Sequence, residues 1–130
     1  MDPQANTTTG IAEIIEKRAE NTIYDTLVDE IPIKDTITKT TFNHLDANLS
    51  TKDLVGAEIE MVSVIARELE LKKALAKVKR IYDYIIIDCP PSLGLLTLNS
   101  LTAANALITV SYTHLRAHET DSYLVCRLLL

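Results

Sequence analysis

The period of the apolar positions changes several times along the chain, and each change marks a candidate element. Asp2 to Gly10 (DPQANTTTG) is polar and rich in Asn and Thr, and reads as a loop leading into a helix. Ile11 to Ala19 is weakly amphipathic and is predicted to be helical. A second short helix is expected from Thr22 to Val28, with Pro32 closing that stretch because its ring cannot continue a helix. Thr36 to Thr51 is rich in Thr and Asn, and the β-branched Ile37, Thr38, Thr40 and Thr41 point to one short strand. From Asp53 to about Lys79 the period becomes helical. Ile59, Val62, Ala66 and Leu69 recur at three- and four-residue steps, and Glu68 and Lys72 are spaced to pair across one turn. Such a stripe could face a partner, but packing against a core is its ordinary use.

Tyr84-Ile85-Ile86-Ile87-Asp88 has no alternation, which predicts a strand buried on both faces, as in the middle of a parallel sheet. Cys89-Pro90-Pro91 cannot extend a ladder and ends it. Ser92 to Ala104 then reads as a helix and Ala106 to Thr109 as another apolar strand. Strand, tight loop, helix and strand make a βαβ unit, so the expected fold class is α/β with a mostly parallel sheet flanked by helices.

Composition adds limits. The chain has 130 residues, 47% of them apolar, which suits one small domain with a core. A net charge of −5 gives no standing basic surface for nucleic acid. The two cysteines, Cys89 and Cys126, are too few for a disulfide framework and fit a reducing compartment. No apolar run approaches the roughly 18 residues of a membrane span, and Met1-Asp2-Pro3-Gln4 does not start a signal peptide. The expectation is a cytoplasmic protein with no membrane partner.

Two motifs carry chemistry. Asp88 ends an apolar strand, the place where open parallel sheets bind ligands, and a carboxylate there can hold magnesium, usually through water. An Asp in that position can equally cap the next helix; Pro90-Pro91 narrows the choice by fixing the direction of the loop beyond the acid. In the other motif, Asp2-Pro3-Gln4 joined to Asn6 and Thr7 to Thr9, an acid, a rigid proline and short polar groups could place water near a phosphate. Read alone, the same residues make a plain polar turn.

Taken together and in this order, the motifs resemble the ParA/Soj family of chromosome- and plasmid-partitioning ATPases. DPQANTTTGI is similar to that family's second ATPase motif, and YDYIIIDCPPSLGLLTLNSLTAA to its Walker B strand and switch loop. TIYDTLVDEIP and LVGAEIEMVSVIARELELKKAL are similar to its connecting helices, so the resemblance runs from Asp2 to about Ile108. It implies a P-loop NTPase-like fold and ATP with Mg2+ as cofactors. It also implies an ATP-dependent homodimer, non-specific DNA binding on the nucleoid and a ParB-like activator. By matching positions, Asp2 becomes the catalytic acid that orients the attacking water and Asp88 the magnesium-side acid. Pro3, Gln4, Pro90 and Pro91 become the nucleotide-facing switch loops. Ala5 stands where the family often has Gly. A MinD-like positioning ATPase and a non-catalytic module of the same fold are the alternatives.

The family's KGGVGKTT-type loop lies about thirty residues before DPQ, and no G-x-x-x-x-G-K-[ST] occurs in this chain. Residues 1–109 are therefore expected to be the central fragment of such an ATPase, inactive by itself. The end of the chain departs differently. Val110 to Thr120 and Leu124 to Leu130 translate one reading frame of a transposase-type sequencing adapter, separated by a barcode-sized gap. Residues 110–130 are thus expected to be adapter read-through outside the native fold. On that reading the His114 and His118 pair, with Glu119 and Cys126, carries no zinc site. Cys89 is expected to be a small buried filler and His44 a surface residue.

Overall fold

The computed structural model describes residues 1–90, 92–110 and 125–129. Five helices and six strands alternate: α1 (Asn6–Gly10), β1 (Ile15–Lys17), α2 (Ile23–Val28), β2 (Ile37–Thr40), β3 (Asp46–Asn48), α3 (Leu54–Glu60), α4 (Glu70–Ala76), β4 (Ile86–Cys89), α5 (Leu95–Ala103), β5 (Ala106–Val110) and β6 (Val125–Leu129). Short 3-10 turns at Ala12–Ile14, Ile33–Thr36, Met61–Ser63 and Arg67–Leu69 link them. This is the α/β class expected.

Helix α2 starts where the sequence placed it, because Asp25 reaches back to the Thr22 backbone N–H at 2.6 Å and to its hydroxyl at 2.9 Å. Its Ile23 and Leu27 enter a core with Leu54, Met61, Leu71 and Ile87, each at most 6% exposed. Burying one such side chain is worth roughly 1.5–3 kcal/mol. Helix α4 packs on α5, and α5 packs on β4. Asn99 locks that joint from within. It is fully buried, its carbonyl accepts the Leu71 N–H at 3.1 Å, and its amide donates to the carbonyls of Arg67 at 2.8 Å and Leu95 at 3.1 Å.

The strands form two three-stranded sheets, in the orders β1-β2-β3 and β4-β6-β5, and every ladder is antiparallel. β4 and β5 run parallel to each other, as the βαβ reading requires, but β6 lies between them with Asp88 opposite Arg127 and Thr109 opposite Cys126. The parallel ladder expected there is thus replaced by two antiparallel ones. Residues 111–124, most of the proposed read-through tail, lie outside the described residues.

Several local expectations are corrected. The loop from Asp2 to Gly10 contains α1, entered through Ala5 in the left-handed region at φ 56°. Ile11 to Ala19 is a 3-10 turn and strand β1, because pairing of Ile15 with Thr40 outweighs a weak helical period. The single strand expected in Thr36–Thr51 is the hairpin β2–β3. The long helix from Asp53 is broken, with Ala66 in the left-handed region at φ 57°. The predicted stripe faces outward: Ile59 and Val62 are exposed, whereas Leu54, Ala57 and Met61 are buried. The ion pair is Glu70–Lys73 at 2.6 Å, not Glu68–Lys72. Finally, β4 alternates: Ile87 and Cys89 face the core, whereas Ile86 is 65% exposed. An unbroken apolar run does not reveal how many of its faces are covered.

Candidate functional site

The DPQ loop shapes itself around Asp2. This residue is buried, and its two carboxylate oxygens accept the backbone N–H groups of Gln4 at 2.8 Å and Asn6 at 3.1 Å. A short acid directly before Pro3 can close such a turn on itself, which is why the segment needs no longer scaffold. Asn6 donates to the side-chain carbonyl of Gln4 at 3.2 Å, so Gln4 is held along the loop although it is exposed. Pro3 is half-buried.

Ser50 anchors this loop to the rest of the molecule. Its hydroxyl donates to the Asp2 carbonyl at 2.9 Å, and its N–H donates to the Thr8 hydroxyl at 3.0 Å. On the opposite side, the Thr7 hydroxyl donates to the Asp88 carboxylate at the end of β4. The two candidate acids, distant in sequence, are thereby brought to one place, with Thr7 between their loops. The Met1 amino group lies there too. Burial pushes it below its ordinary value near 8, against the opposing pull of Cys89, Asp88 and Asp2.

Asp2, Thr7 and Asp88 line a cleft of about 870 Å³ that also takes in Ile33, Ile37 and Tyr82. That volume lies within the range of small-molecule and cofactor sites, roughly 300–1,000 Å³. The donor set at its edge consists of hard oxygens, two carboxylates and a hydroxyl, which suits magnesium held partly through water. The phosphate side is not matched in the same way. None of the three glycines, Gly10, Gly56 and Gly94, lines this cleft, and its Lys39 is paired with Asp46 at 2.7 Å. Among the described residues no three His, Cys, Asp or Glu side chains gather into a metal cage.

Pro90 lies two residues after Asp88 and is half-buried, while Pro91 lies outside the described residues. Cys89 is buried at 3% exposure, with its thiol 3.9 Å from the Ile87 carbonyl, in keeping with a small core residue. His44 is exposed, as expected. His114 and His118 lie outside the described residues. Sequence reasoning did not single Thr7 out within its motif, and it missed Ser50. Thr7 was visible only as one of three threonines, and nothing local marks Ser50, whose role comes from tertiary contact with Thr8. No helix among the described residues is long and apolar enough to cross a membrane.

Comparison with known proteins bears on the family. The AAA_31 family, described as an AAA domain, matches residues 1–127. The chain is 53% identical over 109 residues to the sporulation initiation inhibitor protein Soj of Bacillus subtilis, covering 83% of this chain and 42% of Soj. It is 45% identical over 108 residues to the chromosome partitioning protein ParA of Myxococcus xanthus, covering 83% of this chain and 38% of ParA. Among solved structures, cobyrinic acid a,c-diamide synthase from Mycobacterium smegmatis, with bound ATP analog and magnesium, superposes with a TM-score of 0.70 at 37% identity. That match covers 79% of this chain and 41% of the synthase. The chain thus spans about two-fifths of the length of the curated relatives it matches. With the DPQ loop, the strand ending in Asp88 and these matches in agreement, the chain belongs to the ParA/Soj family of AAA domains.

Proposed function

We propose that this chain is the central part of an ATP-hydrolysing DNA-partitioning switch, in which residues 1–109 carry the function and the adapter-encoded residues 110–130 add nothing to it. The observation that carries the reading is the convergence of Asp2 and Asp88, through Thr7, on the edge of one cleft. Bound there, a magnesium nucleotide would supply the phosphoryl group to be cleaved. In this reading Asp88 holds the metal's water shell, kept in place by the Thr7 hydroxyl. Asp2 orients the attacking water while its carboxylate keeps the loop folded. Pro3, Gln4, Pro90 and Pro91 shape the two loops that answer to the γ-phosphate. The partners of the whole protein are a second copy of itself, non-specific DNA and a ParB-like activator, in the cytoplasm on the nucleoid.

Alone, the chain is expected neither to bind ATP usefully nor to hydrolyse it, because it holds no lysine-bearing glycine-rich loop for the β- and γ-phosphates. Magnesium-dependent turnover above an Asp88→Ala control would contradict that. The reading itself is tested by placing residues 1–109 in the Bacillus subtilis Soj protein in place of its matching segment and measuring ATP turnover of the chimera. Turnover is expected to survive. Asp88→Ala in the chimera should weaken magnesium-nucleotide binding. Asp2→Asn, which keeps an acceptor for the loop, should lower turnover with binding retained. A folded chimera that binds no nucleotide would sink the proposal.

A further inference from the structure

Helix α5 follows the loop that leaves Asp88, and it begins at Gly94, a residue with no side chain to cap it. Its first turn contains no acid. The missing cap comes from elsewhere: the Glu58 carboxylate, on α3, accepts the Leu96 backbone N–H at 3.2 Å. A carboxylate at this place both satisfies an orphan donor and complements the positive end of the helix dipole.

Gly94 explains how the contact is possible. Its backbone is ordinary and extended, at φ −80° and ψ 178°, so conformational freedom does not call for glycine here. Room does: a Cβ on residue 94 would overlap the Glu58 carboxylate. A capping side chain on residue 94 and the bond from α3 therefore exclude each other, and the chain has taken the bond from α3. Beside it, Leu93 is 98% exposed, so this loop has little apolar burial of its own to hold it.

We propose that Glu58 is a positioning residue for the start of α5, pinning its first turn where the chain returns from the loop beyond Asp88. The functional weight of the contact rests on the proposed ATPase reading, in which this loop is a switch. The contact itself is independent of nucleotide. Motion of α3 would reach the metal-side acid through one carboxylate, across a loop only a few residues long.

The test uses the full chain with Cys126→Ser, which leaves the buried Cys89, next to Asp88, as the reporting thiol. Its rate of modification by a small thiol reagent reads the opening of the loop. Glu58→Ala is expected to speed labelling about tenfold, within the range that loss of an N-cap permits. Glu58→Gln, which keeps the acceptor, should restore the slow rate. Gly94→Ala should behave like Glu58→Ala by displacing the carboxylate, and the double variant should be no faster than either single one. The urea midpoint should move little in each, which separates local opening from a loss of global stability. Wild-type labelling in Glu58→Ala, multiplicative effects of the two changes, or acceleration that only tracks the midpoint would each overturn the proposal. Because no nucleotide enters the assay, its failure is distinct from failure of the ATPase reading in the chimera.

Discussion

The Thr7 hydroxyl donates to the Asp88 carboxylate, joining α1 to β4 across 81 residues of chain. Thr7 itself is exposed and Asp88 half-buried, so water competes for the bond. Thr7→Val keeps the shape and deletes the donor, and is expected to cost about 0.5–1 kcal/mol in urea unfolding, below the range for hydrogen bonds to charged groups because the site is open to water. Thr7→Ser should recover most of it. If valine matches the wild type, the contact adds nothing to stability.

Asn99 has more to lose. Replacing it by Ala leaves the Leu71 N–H and the Arg67 carbonyl without their partner in a buried joint. At about 1–3 kcal/mol per orphaned group, the expected cost is about 3 kcal/mol by chemical denaturation. A loss below 1 kcal/mol would mean that water reaches the joint and replaces the side chain.

Tyr82 and Asp46 make stability depend on pH at both ends. Burial first, then the 2.7 Å hydrogen bond to Asp46 and its charge, push the Tyr82 phenol up to about 12 from an ordinary value near 10. Between these values the unfolded chain releases the proton and the folded chain keeps it, so stability is complete below pH 10 and falls as pH rises toward 12. Asp46 behaves oppositely. Burial pushes its carboxyl up, but hydrogen bonds from Lys39 and Tyr82, with the Lys39 charge, hold it below its ordinary 3.8. Its contribution is present above that value and disappears as pH falls through the lowered one. Urea midpoints measured across pH should show the alkaline loss, and Tyr82→Phe should remove its share of it. An unchanged alkaline limb in that variant would exclude Tyr82 as a source.

Deleting residues 111–130 is expected to leave the unfolding midpoint of the remainder unchanged. The core cluster of Ile23 to Ala103 lies upstream of this segment, whose described link to it is the pairing of β6 with β4 and β5. A segment not selected with the rest has no reason to agree with it in packing or caps. Backbone amides of β6 should exchange much faster than that of Ile87. A clear fall in midpoint on deletion, together with slow exchange in β6, would place that strand within the native fold.

How much was legible depended on whether a signal was local. Helix α2 was readable because its cap lies within four residues, and the α5 region because Pro90 and Pro91 end the strand before it. Asp2 and Asp88 were picked out by their motifs. What failed was decided by distant partners. Ile15 is a strand residue only because Thr40 lies opposite it, and Ile59 is exposed because Leu54 and Ala57 are the residues of α3 that meet the core. Glu58 gave no sign, since its meaning lies in the space beside a glycine 36 positions later.

The span between Thr7 and Asp88 also sets a timetable. Asp2 closes on Gln4 and Asn6, two and four residues away, so its loop can take shape as soon as it is made. Thr8 must wait for Ser50, 42 residues later, and Thr7 for Asp88. At a synthesis rate of about 5–20 residues per second, the last of these bonds trails the first by roughly 4–16 s. A nascent chain therefore carries one acid already seated while the other is still unmade, and any early meeting with a ligand finds only half of the cleft.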